Sequence, residues 1–206
     1  MNSSQELDSV VAGIRADDRA SLERLFVQHR DYLKHVVRLR MDQRLQQRVD
    51  ASDIVQETHL EALRRVDEYV RKPVLSLRLW LRQIACDRLV MAQREHLAAQ
   101  KRSLHQETCL PDDLSVGVAQ QLVAGAASPS MVLSQKEVAR LVREAVAGLD
   151  EDDREIILLH SFEGLTSTES SQLLGIEPAA ARKRFGRALR RLQEKLVEQG
   201  LGASQP

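Results

Sequence analysis

Apolar residues recur along this chain at intervals of three and four, not two. That spacing gathers them on one side of a helix with 3.6 residues per turn. Leu7, Val10, Val11 and Ile14 predict a short first helix, with Ser4 as its cap. Leu22, Leu25, Phe26, His29, Leu33, Val36 and Val37 form a longer stripe behind Asp17, whose short carboxylate suits an N-cap. His29 sits on that apolar stripe, which predicts a packed residue rather than a ligand. Ile54, Val55, Leu63 and Val66 predict a third helix, opened by Asp50 or Ser52. Leu77, Trp80, Leu81, Ile84, Ala85, Leu89 and Ala92 predict a fourth, running to about Gln100. No alternating stretch bounded by turn residues points to a strand.

The stripe lapses over "CLPDDLSVGVAQQLVAGAASPS", where Pro, Gly, Ser and acids mark a linker with one weak helical turn around Val118 to Val123. Leu133, Val138, Leu141, Val142, Ala145, Val146 and Leu149 then restore the helical period. The segment "REIILLHSF" predicts a short apolar helix, and "EGLTSTESSQLLGIEPAAARKRFGRALRRL" predicts two more, broken at Gly175. The predicted fold class is all-α: two small helical domains, residues 1–102 and 135–200, joined by a flexible acidic linker, residues 103–134. A helix-turn-helix lies in the second domain.

Composition agrees with helix over strand. Aromatics are only 3% of the 206 residues, while Ala, Leu, Arg, Glu and Gln dominate. No apolar run approaches the roughly 20 residues of a membrane span. The start, "MNSSQELDSVV", has no basic segment leading into an apolar one, so no signal peptide is expected. Two cysteines, Cys86 and Cys109, argue against a disulfide framework and fit a reducing cytoplasm.

The formal net charge is zero, with 30 bases against 30 acids, yet the charges are segregated. Residues 103–134 carry three acids and no Lys or Arg, whereas "RKRFGRALRRLQEKL", residues 182–196, holds seven Lys or Arg and one acid. Local charge decides what a surface attracts within a Debye length of about 10 Å. Pro178 suits a first helical position, where its missing N–H is no loss. Advancing about 100° per residue from there, Ala181, Phe185, Ala188, Leu189, Leu192 and Leu196 share one face. Lys183, Arg184, Arg187, Arg190 and Arg191 share the opposite face, with Arg182 at the border.

A short helix capped near Thr166, a turn at Gly175 and a basic second helix make a helix-turn-helix, whose second helix enters the DNA major groove N-terminal end first. Arg182, Lys183, Arg184 and Arg187 then stand where base edges or nearby phosphates lie, and Arg190 and Arg191 further along the backbone. The plainer alternative is an amphipathic helix with a solvated basic face.

Enzyme chemistry finds no support. There is no phosphate-cradling Gly loop, no His-Glu-x-x-His run and no Gly-x-Ser-x-Gly elbow. The six histidines are scattered and Cys-x-x-Cys is absent, so neither a zinc site nor any other cofactor is expected.

The helix-turn-helix alone names no function, but three segments narrow it. "DASDIVQETHLEAL" resembles the core-polymerase-binding segment of bacterial sigma factors, and "LRLWLRQIACDRLV" resembles the segment that follows it. "AGLDEDDREIILLHSFEGLT" with "SQLLGIEPAAARKRFGRALRRLQEKL" resembles their fourth region. In that order and spacing, the chain resembles sigma-70 family factors of the extracytoplasmic-function (ECF) type.

The resemblance implies that Asp53, Gln56 and Glu57 bind the clamp helices of the polymerase largest subunit, and that the polymerase flap is a second contact. A capping box with Asp53 at the cap and Gln56 at the third position is the competing local reading. The resemblance further implies that "YVRKPVLS" is a base-capturing loop at the promoter −10 element. Arg71 and Lys72 would lie near phosphate there, with Arg78, Trp80, Arg82, Gln83 and Arg88 beside DNA; Trp80 itself is expected to pack in the core. The basic face from Arg182 to Arg191 would read the −35 element. The linker would thread the polymerase cleft, and an anti-sigma protein would be a further partner.

Asp87 departs from the neutral Asn usual in the family, which puts base readout there in doubt. Ser170 and Ser171 depart from apolar and small residues and predict a thinner core, leaning on Leu173, Leu174 and Phe185. Two other readings compete: a regulator binding duplex operator DNA through the helix-turn-helix with a helical sensor or dimerisation domain, and a helical adaptor whose basic face docks an acidic protein.

Overall fold

In a computed structural model of the chain, residues 19–97 and 135–201 are described. Every regular element among them is helical. The chain divides into two compact units, residues 1–106 and 107–206. The predicted first helix, the Asp17 cap, the linker with its weak turn, and residues 98–100 lie outside the described residues.

The first unit contains α1 (Arg19–Arg40), α2 (Gln43–Gln46), α3 (Ala51–Arg71) and α4 (Leu77–Leu97). Helices α1, α3 and α4 pack on one another in pairs. Leu33, Val37, Met41, Leu45, Ile54, Val55, Leu81, Ile84 and Ala85 are almost wholly excluded from water between them. Each such Leu or Ile contributes roughly 1.5–3 kcal/mol through burial. The four-residue α2 was not predicted, being too short to show a period; its visible signals are the Asp42 carboxylate, which accepts the Arg44 N–H at 2.6 Å, and Leu45, which is fully buried.

Helix α3 starts where the sequence placed a cap. Asp50 accepts the Ser52 N–H at 2.6 Å, and its own N–H donates to Asp53 Oδ2 at 3.3 Å, closing a capping box. The box therefore joins Asp50 to Asp53, in line with Asp50 as the helix start, and not Asp53 to Gln56 as in the competing local reading.

The second unit contains α5 (Gln135–Ala147), α6 (Glu151–Ile157), α7 (Ser167–Leu174) and α8 (Pro178–Leu196). α6 runs on into a π-helical turn, Leu158–Phe162, where Glu163 N–H reaches back to the Leu158 carbonyl at 2.9 Å. Arg154 donates to the carbonyls of Ala147 and Leu149, satisfying the end of α5.

α7 opens with a capping box between Thr166 and Glu169 and ends at Gly175, which adopts φ 64°. A left-handed residue there is cheapest as glycine. It lets Ile176 N–H cap the Ser171 carbonyl at 3.1 Å before Pro178 starts α8. α8 lies on α6 and α7, burying Ala181, Ala188, Leu192 and Leu196 completely or nearly so. Ser170 and Ser171 are buried in the same unit, while Leu173, Leu174 and Phe185 are half-buried.

Candidate functional site

On α3, residues 53, 56, 57 and 60 are spaced by three, four and seven and so share a face. Asp53, Gln56 and Glu57 are all exposed there. Leu60, a large apolar side chain, is 55% exposed on the same face. Sequence reading missed Leu60 because one leucine fits any helical stripe; only exposure sets it apart. Asp53 contributes to the helix cap and to this face together, since its second oxygen remains available.

The loop between α3 and α4 has a fixed base and an exposed crest. Tyr69, nearly buried, donates its hydroxyl to the Leu75 carbonyl at 3.0 Å, and burial pushes its pKa up to about 12. Trp80 stacks on Tyr69 with ring centroids 4.5 Å apart, and Ser76 caps α4. Arg71, Lys72, Pro73 and Val74 stand exposed above this base, Val74 at 69%. Trp80 is half-buried against the core, in keeping with expectation.

The α4 candidates separate. Gln83 is exposed, and Asp87, Val90, Met91 and Arg94 follow it along one outward face. Arg78 is half-buried with its guanidinium 4.0 Å from the centre of the Tyr32 ring, a cation–π contact that ties α4 to α1. Arg82 is only 6% exposed, so its side chain is spent inside the protein rather than on that outward face.

Arg88 is likewise turned inward. It meets Glu61 at 2.7 Å, and Glu61 also accepts from Arg65 at 2.6 Å and Arg64 at 3.3 Å. Burial alone would raise the Glu61 pKa, but the hydrogen bonds from Arg65 and Arg64 and the charges of Arg65 and Arg88 outweigh it and hold the carboxyl below its ordinary range. Glu61 thus fastens α4 to α3. Its role was invisible in sequence, because Arg88 lies 27 residues away along the chain.

On α8 the basic face divides in two. Lys183, Arg187 and Arg190, with Ala180 and Gly186, line a shallow outward groove that Arg184 borders. The small residues at 180 and 186 leave it open. Arg182 is exposed. Arg191, expected to touch DNA backbone, instead pairs with Asp150 at 2.8 Å and, at closer range, with the buried Asp153. The hydrogen bond and charge of Asp153 hold its pKa above the ordinary arginine value. Arg184 pairs with Asp152 at 3.3 Å. Phe185 stacks on His160 from the π-helical turn, centroids 4.4 Å apart, and burial lowers the His160 pKa.

A basic groove on the second helix of a helix-turn-helix has the shape and charge that suit a DNA backbone. Residues 139–192 match the profile of sigma-70 region 4. Over 189 residues the chain is 30% identical to the ferric citrate uptake sigma factor FecI of Escherichia coli K12, covering 91% of this chain and 98% of FecI.

The chain belongs to the sigma-70 family.

It is also 28% identical over 198 residues to the ECF RNA polymerase sigma factor SigD of Mycobacterium tuberculosis H37Rv, covering 95% of this chain and 86% of SigD. The probable RNA polymerase sigma factor RfaY of Xanthomonas campestris is 33% identical over 148 residues, 72% of this chain, and the match spans about a third, 34%, of that longer protein. The fold is similar to the solved structure of CnrH in complex with the cytosolic domain of CnrY, with a TM-score of 0.56 and 22% identity over 92% of this chain and 96% of that one. This sigma factor is of the ECF type, and it directs RNA polymerase to promoters. Among the described residues, no helix is long and apolar enough to cross a membrane.

Proposed function

We propose a division of labour between the two units. The exposed face of α3, formed by Asp53, Gln56, Glu57 and Leu60, docks on the clamp helices of core polymerase. The crest Arg71–Val74 and the outward face of α4 from Gln83 meet the −10 element and assist melting. The α8 groove, with Arg182, Lys183, Arg187 and Arg190, seats in the major groove at the −35 element. Arg78, Arg82 and Arg88 shape these surfaces from within, and Arg191 is held at the surface by Asp150 and Asp153.

The observation that carries this reading is the sorting of charge by exposure. Acid, amide and one leucine stand out on α3, while Arg182, Lys183, Arg187 and Arg190 with two small residues stand out on α8. An acidic and amide-bearing face pairs with arginines of a protein partner, whereas a cationic groove pairs with phosphate.

The factor acts without catalysis of its own, in the cytoplasm where polymerase works. The acidic linker, residues 103–134, threads the polymerase cleft, and an anti-sigma protein that masks these faces completes the set of partners.

Reconstitution with core polymerase tests the division. Glu57→Ala should weaken core binding while promoter choice by the assembled holoenzyme is kept. Lys183→Ala with Arg187→Ala should weaken promoter binding while core affinity is kept. If both variants lost the same function, the two faces would not be separate.

A further inference from the structure

Arg184 and Arg191 stand two turns apart on α8, and both reach the first turn of α6, but they are held differently. Arg191 has two carboxylate partners, one of them with a side chain only 7% exposed. Arg184 has a single carboxylate partner, Asp152, at 3.3 Å, and the Asp152 side chain is 74% exposed. A pair that open to water is weak and screened by salt. The Arg184 side chain is itself only 24% exposed and borders two concavities, the outward groove with Lys183, Arg187 and Arg190 and a mixed-charge cleft shared with Asp150 to Asp153, Arg187 and Arg191.

We propose that Asp152 limits non-specific DNA binding, by holding Arg184 in an intramolecular pair that a DNA phosphate must displace. The inference rests on the assignment of the α8 groove to DNA. Attachment to an arbitrary duplex is set by the number of phosphates neutralised. An acid of the protein's own that competes for one cation therefore lowers that attachment directly. What matters for finding a promoter is the ratio of specific to non-specific binding, not affinity alone. The residue is well placed for this. It is not the N-cap of α6, a role filled by Asp150, whose carboxylate accepts the Asp153 N–H at 2.9 Å. Asp152→Asn thus leaves cap and core intact.

The test uses the full chain and a labelled random-sequence duplex, followed by fluorescence anisotropy over a range of salt. Asp152→Asn should tighten binding about two- to fivefold at low salt, the span expected for an exposed pair, and the gain should fade as salt rises. Arg184→Ala should abolish that gain, so that the double variant binds like Arg184→Ala alone. Arg187→Ala should weaken binding and flatten the salt slope by about 0.9. If Arg187→Ala weakens binding but Asp152→Asn changes nothing, the inference fails and the DNA-facing groove stands. A gain that persists in the Arg184→Ala background would also overturn it, since general charge repulsion would then be the cause. If no variant binds, or Arg187→Ala has no effect, the groove assignment fails and the inference with it.

Discussion

Tyr69→Phe removes one hydrogen bond and little else. The ring stack on Trp80 at 4.5 Å survives, and the lost group is a hydroxyl that donates to the Leu75 carbonyl at 3.0 Å from a side chain almost wholly excluded from water. A net hydrogen bond contributes about 0.5–1.5 kcal/mol, and leaving the carbonyl without its donor costs toward the upper end. The expected loss is therefore about 1.5 kcal/mol for the first unit. Tyr69→Ala also removes the stacked ring and leaves a cavity, for an expected loss of about 3–5 kcal/mol. The chain has a single tryptophan, Trp80, and it lies against this tyrosine. Urea titration followed by tryptophan emission therefore reports the first unit alone, which avoids fitting one transition to two units. Transcription from a promoter that the holoenzyme uses should fall with Tyr69→Phe while core binding holds, because the crest Arg71–Val74 would lose its fixed base. If the Phe variant unfolded at the wild-type urea concentration with unchanged emission, the hydroxyl would not be holding the loop.

Other outcomes follow from the same geometry. Arg191→Ala should lower the stability of the second unit yet leave the salt slope of DNA binding nearly unchanged, whereas Arg190→Ala should flatten that slope by about 0.9 and leave stability alone; the reverse pattern would exchange their roles. Gly175→Ala should destabilise the second unit by about 1–2 kcal/mol, measured by chemical denaturation, because φ 64° is strained for alanine while its Cβ would meet nothing within 4 Å. Glu61 has a depressed folded-state pKa, so its contribution is full above the ordinary carboxyl value of about 4.5 and is lost as pH falls through the folded value. Acid titration of Glu61→Gln should show a flatter loss of first-unit stability in that range. His160 is also depressed, so charging it opposes folding as pH falls below 6.5; His160→Leu should remove that slope from the second unit.

Much of the architecture was legible from residue spacing. The stripes through Leu33 and Val37, Ile54 and Val55, and Leu81 and Ile84 named the helices that bury them, because burying an apolar stripe is what makes a helix of this length stable in water. Asp50, Thr166, Gly175 and Pro178 marked ends correctly, since capping is chemistry between residues within a few positions of one another. The alternative box at Asp53 and Gln56 gave way to one between Asp50 and Asp53, and α2 was missed; in both, the signal was a single short-range polar group competing with others nearby.

The amino-acid order by itself determined which segments coil, where they stop, and that Lys183, Arg187 and Arg190 share a face. It could not determine which arginines are available to a ligand. Arg88 and Arg190 look alike in sequence, as do Arg191 and Arg187, yet Glu61 takes the first of one pair and Asp150 with Asp153 the first of the other. Those acids lie on different helices, and only packing brings them within reach. A charge's function depends on its nearest opposite charge, and across helices that neighbour is set by tertiary structure.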